Sequence, residues 1–146
     1  MRNFETGATR DSEEGKNDYE GFYHPLVVEA FGDYMNKHRI QADGKLRDSD
    51  NWQKGIPKTA YMKSLWRHFL DMWFIHRGYK RSDKKTGEEL TMSEVLCSIL
   101  FNVQGYLYEV LKEDKICKCE SPALAGLLKD GEDFCVACNK TIRRIK

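Results

Sequence analysis

The sequence holds only three prolines and no long uninterrupted apolar run, and its charges nearly cancel, 24 basic residues against 23 acidic for a net of +1. Each scarcity excludes something. Without an apolar stretch of about 18 residues no segment reads as a membrane-crossing helix, and the polar start Met1–Lys16 lacks the apolar centre of a secretory leader. The expectation is a protein that stays in the cytoplasm where it is made, with no membrane partner. A near-neutral chain carries no broad field for grasping nucleic acid. Few prolines and eleven glycines in 146 residues argue against a disordered or fibrous chain. Five cysteines, an odd number, in a reducing compartment point to thiols or metal ligands and away from disulfides.

What is present is mostly helical patterning. Pro25 suits a first helical turn, and Val27, Val28, Phe31, Tyr34 and Met35 along one side predict a helix to about Arg39. Met62, Leu65, Trp66, Phe69, Leu70 and Trp73 recur at spacings of three and four, which predicts a second helix from Pro57 to near Gly78. Thr91-x-x-Glu94 reads as a capping box opening a third helix to about Lys112. That third segment is apolar nearly all round and is expected to be the buried centre of the bundle. A loop over 40–56 and a connector over 79–90, both dense in charges and turn formers, join the helices. Residues 1–23 lack periodicity and are expected to form an arm without regular elements. The chain thus divides into an arm (1–23), a helical domain (24–113) and a tail (114–146). Its fold class is mainly α, a small helical bundle with a C-terminal zinc-ribbon-like tail.

The tail carries Cys117-Lys-Cys119 and Cys135-Val-Ala-Cys138, two close pairs whose thiolates, set on tight turns, converge on one Zn²⁺. Four cysteine ligands leave no open position for water, so this zinc is expected to be structural. Cys97, in an apolar helical stretch, reads as a small buried hydrophobe.

Polar residues on apolar helices need partners. On the second helix His68 and Asp71 share a stripe with Ser64 and Ile75, and on the third Glu94, Ser98 and Asn102 fall four apart. Either Glu94 caps its helix and Asn102 bonds a backbone group, or these side chains frame a metal or substrate site between the two helices. Arg10, Lys16, Lys54 and Arg67 could neutralise phosphate oxygens, and Trp52 could stack on a base, provided that they converge.

Gly7-Ala-x-Arg10-Asp11, Glu14-Gly-Lys16-x-Asp18-Tyr19, Asn51-Trp52-x-Lys54-Gly55-Ile56-Pro57, Arg67-His68 and the stripe from Glu94 to Asn102 together resemble the N-terminal domain of the phage-associated dATP/dGTP diphosphohydrolase family. The likeness covers roughly residues 5 to 112. It implies an all-α relative of the MazG-like nucleotide pyrophosphohydrolases that hydrolyses purine deoxynucleoside triphosphates with Mg²⁺-activated water. In that role His68, Asp71 and Glu94 would hold or orient metal and water. Arg10, Lys16, Lys54 and Arg67 would contact phosphates, Asn51 and Asn102 would position substrate, and Trp52 would stack on the base. Where MazG-like proteins show paired acidic residues on two helices, this chain offers His68-x-x-Asp71 and a single Glu94, with Ser98 where a second carboxylate would stand. An alternative is a phage nucleotide sponge that binds without cleaving. Another is a homo-oligomeric scaffold with the zinc tail as a docking module. A phage origin would make the compartment the cytoplasm of the bacterial host.

Overall fold

The computed structural model describes residues 1–114, 116, 119, 124–127, 133–135, 138 and 140–142. The chain opens on a small antiparallel hairpin, β1 (Arg2–Asn3) with β2 (Thr9–Arg10), followed by the single turn α1 (Tyr19–Phe22). Three long helices make the body: α2 (Pro25–Lys37), α3 (Lys58–His76) and α4 (Met92–Asp114), with a 3-10 turn (Asn51–Lys54) between the first two. They stand where the apolar periodicity predicts them. In the tail, β3 (Leu124–Leu127), β4 (Asp133–Cys135) and β5 (Lys140–Ile142) form an antiparallel sheet in the order β3-β4-β5.

The arm departs from its expectation by holding regular elements, and the cause is local turn chemistry. Gly7 takes a positive φ of 81°, which an L side chain resists, and its N–H donates to the Phe4 carbonyl at 2.9 Å to close the hairpin. Asp18 then caps α1 by accepting the Gly21 N–H at 2.9 Å. Neither device leaves an apolar period to read.

The capping box at the start of α4 is formed as expected. The Thr91 hydroxyl accepts the Glu94 N–H at 3.2 Å, and the Glu94 carboxylate accepts the Thr91 N–H at 3.2 Å, so two backbone donors are satisfied reciprocally.

Among the described helices α4 is central, packing on both α2 and α3. Its inner face buries Val95, Cys97, Ser98, Asn102 and Gly105. Cys97 is buried as expected, its thiol 3.7 Å from the Ala30 carbonyl of α2. Opposite, Tyr61 of α3 is 2% exposed, its ring resting on Gly105 and 6.0 Å from the ring of Phe101. The outer face of α4 corrects the expectation of burial all round. Leu96, Leu100, Val103 and Leu107 are 42–53% exposed, because α2 and α3 lie to one side of the helix only.

Candidate ligand-binding cleft

The C-terminal end of α2 and the loop that follows it enclose a cleft of about 640 Å³. The loop folds back by local chemistry. Ala42-Asp43-Gly44 supplies the turn, with Gly44 at φ 78°, and the flanking backbone pairs, the Gln41 N–H to the Lys45 carbonyl and the Arg47 N–H to the Arg39 carbonyl, each at 2.9 Å. This brings Arg47 opposite Arg39, and both line the cleft beside Lys37. The Arg39 Nε donates to the Arg47 carbonyl at 2.8 Å, fixing the guanidinium at the wall.

Beyond the hairpin the 3-10 turn presents Asn51 and Trp52 to the same cleft, where Ile56 and, from α4, Phe101 add apolar surface. Trp52 is held edge-on against Tyr108 of α4, ring centroids 5.2 Å apart. On the α2 side the His38 ring lies tilted against that of Tyr34, centroids 4.1 Å apart, and its Nδ1 donates to the Tyr34 carbonyl at 2.8 Å. With that bond made, Nε2 is the nitrogen left to meet a ligand. Burial pushes the Tyr34 hydroxyl above its ordinary value, so it stays protonated, with Ser98 Oγ 2.9 Å away.

The charge balance of the wall is uneven. Among the described lining residues two cations, Arg39 and Arg47, face one carboxylate, Asp48, which Lys54 already engages at 3.3 Å, while the third cation, Lys37, is paired with Glu94 at 3.0 Å. Lysine and arginine at the end of a helix are ordinary company for its dipole. Arg47 comes from the loop, however, and like charges directly across a strand pair are unfavourable unless an anion lies between them.

The residues singled out in the sequence fall into three groups. Asn51 and Trp52 meet in the cleft, and Lys54 stands at its edge through Asp48. His68, Asp71, Glu94, Arg67 and Asn102 do not line it. His68 lies on the half-buried stripe of α3, and burial draws its imidazole below the ordinary 6.5, against the pull of Asp71 and with help from Arg67 and His38. Asp71 is bound by Arg81, whose Nη2 and Nε reach its Oδ1 at 2.7 and 2.8 Å. Glu94 accepts Lys37 at 3.0 Å on one oxygen and Thr91 on the other. The lysine first, then the threonine N–H, hold its carboxyl below the ordinary range. Arg67 donates to Ser64 at 2.8 Å on the exposed side of α3, and Asn102 donates to the Ser98 carbonyl of its own helix at 2.7 Å. Arg10 and Lys16 sit exposed in the arm, whose hairpin packs against no other described element.

The Mg²⁺ site implied for His68, Asp71 and Glu94 does not fit this arrangement. Both carboxylates are neutralised by their own cations, and among the described residues no three His, Cys, Asp or Glu side chains cluster as a metal site. In the tail, β4 ends at Cys135, while Cys119 and Cys138 are part-exposed. Cys117 and the side chain of Cys135 lie outside the described residues, and the zinc expectation lies there with them.

The cleft residues that the sequence did not mark as functional are Tyr34, read there only as part of a helix's apolar side, and Lys37, His38, Arg39 and Arg47. A signal was there to find. The run Lys37-His38-Arg39 and the cation Arg47 flank Asp43-Gly44, a turn dipeptide that folds the two segments together.

Fold and cleft define a mainly helical protein with a basic, tryptophan-walled pocket, in which no described helix is long and apolar enough to cross a membrane. Compared with known protein families, with curated proteins and with solved structures, the chain finds no match.

Proposed function

We propose that the protein binds a purine deoxynucleotide in this cleft, with phosphates on Arg39 and Arg47 and the base against Trp52. The observation that carries this is the pairing of Arg39 with Arg47 on a wall that also holds the indole, with the one carboxylate beside them engaged by Lys54. Guanidinium groups suit phosphate oxygens because their planar donors bond in pairs, and an aromatic face accepts any base. A cleft of about 640 Å³ has the volume usual for small-molecule sites. Binding without turnover, as in a nucleotide sponge, fits better than hydrolysis of dATP or dGTP, because the acidic side chains that would carry Mg²⁺ are paired elsewhere.

Titration calorimetry with dATP and dGTP tests this. Binding should weaken by roughly 10- to 100-fold in Arg39→Ala/Arg47→Ala, the cost of losing charge-assisted hydrogen bonds. Arg67→Ala should bind as the unaltered protein does. Absence of binding by any deoxynucleotide would sink the proposal, and pyrophosphate release in the presence of Mg²⁺ would replace the sponge with the hydrolase.

The four cysteines Cys117, Cys119, Cys135 and Cys138 are proposed to hold one structural zinc, on the strength of their paired spacing. Metal analysis should return one zinc per chain, lost in Cys135→Ser. A metal-free but equally stable protein would refute it.

A further inference from the structure

Helix α3 has two apolar sides, and the fold uses one. Tyr61, Leu65, Met72 and Ile75 sit on the buried or half-buried stripe. Met62, Trp66, Phe69 and Trp73 follow one another by steps of four, three and four residues, the spacing of a coiled-coil seam, and are 39–66% exposed. Helix α4 repeats the pattern. Leu96, Leu100, Val103 and Leu107 have the same steps and point away from the face that holds Ser98 and Asn102. Near the end of α3 and the start of α4, Phe69, Met72, Trp73, His76 and Met92 line an almost wholly apolar groove of about 600 Å³.

The size of this surface decides what it is for. Eight large side chains about half exposed, at roughly 200 Å² each when fully open, present on the order of 800 Å². The largest apolar patch on a typical monomer is about 300–600 Å², whereas a standard protein interface takes about 800 Å² from each partner.

We infer that these two seams form an isologous interface with a second copy of this chain, α3 of one copy lying on α4 of the other. The charges favour that occupant. Helix α3 carries Lys58, Lys63 and Arg67 against one acid, Asp71, and α4 carries Glu94, Glu109, Glu113 and Asp114 against one base, Lys112. A two-fold contact therefore sets a basic helix on an acidic one twice over. Lys58 and Glu113 pair within one chain at 2.6 Å and Glu94 holds Lys37, so the contact between copies draws on Lys63 and Arg67 of α3 and on Glu109 and Asp114 of α4. The nucleotide cleft is lined by α2, its following loop and Phe101, none of which belongs to the seams, so each copy keeps its own cleft.

Light scattering on the full-length protein should give twice the 17.1 kDa chain mass at micromolar concentration. Tryptophan emission should shift to the red as dilution uncovers Trp66 and Trp73. The double variant Trp66→Glu/Trp73→Glu should run as a monomer, keep its helical circular dichroism and bind nucleotide as the unaltered protein does. If that variant fails to fold, Leu100→Lys gives the same reading from the other seam, and the dilution series on the unaltered protein stands by itself. A chain of monomer mass at all concentrations would overturn the interface, whether its tryptophans are open to water or covered by its own tail or a lipid surface. So would a dimer that survives both sets of charges.

Discussion

Replacing Gly105 with alanine should lower the stability of the bundle, opposite in sign to what helix propensity gives. Alanine inside a helix is worth about 1 kcal/mol over glycine. A Cβ at Gly105, however, would fall onto the ring carbons and hydroxyl of Tyr61, closer than such atoms approach. Tyr61 is 2% exposed and packed beside Phe101, so its ring has nowhere to retreat. Overpacking of this kind costs about 1–3 kcal/mol, which outweighs the propensity gain and should lower the melting midpoint by roughly 5 °C. The smaller Tyr61→Leu should recover part of the loss in the Gly105→Ala background. Tyr61→Phe should not, because the ring carbons in the way remain. A Gly105→Ala protein that melts at or above the parent temperature would mean that the contact between α3 and α4 is looser than described.

The second large effect is expected at Asp71. Its carboxylate is 17% exposed and takes two bonds from Arg81, which also lies 4.8 Å over the ring of Phe74. The arrangement latches the connector after α3 back onto that helix. Hydrogen bonds to charged groups contribute about 1.5–3 kcal/mol, so Asp71→Ala should cost about 2 kcal/mol in urea unfolding. Lys37→Ala should cost far less than Asp71→Ala, since Lys37 and Glu94 are 59% and 36% exposed and water screens their attraction. Equal costs at the two sites would show that Asp71 is not committed to Arg81, and would return its carboxylate to the candidates for metal binding.

These two cases show why the helices were legible and the site was not. Tyr61, Leu65, Trp66 and Phe69 announce a helix by their spacing alone, because burial of one side of a rod imposes a period on the residues that cover it. The capping box Thr91-x-x-Glu94 is likewise local, its hydrogen bonds closing within four residues. The sequence offered that local role for Glu94 beside the metal reading, but it could not choose between them. The second oxygen of Glu94 belongs to Lys37, 57 residues earlier in the chain, and no spacing reports such a partner. Asp71 is similar, since Arg81 reaches it only after the connector turns back.

The sequence by itself determined the mainly helical class, the extents of α2, α3 and α4, and the capping of α4, because each follows from interactions among residues a few positions apart. Tertiary structure alone decided which acids were neutralised, that Arg47 would face Arg39 beside Trp52, and that α2 and α3 would leave Leu96, Leu100, Val103 and Leu107 of α4 uncovered. Those outcomes depend on which charged and apolar groups meet across long stretches of chain, where Coulomb attraction and burial act on distance in space and leave no period in the sequence.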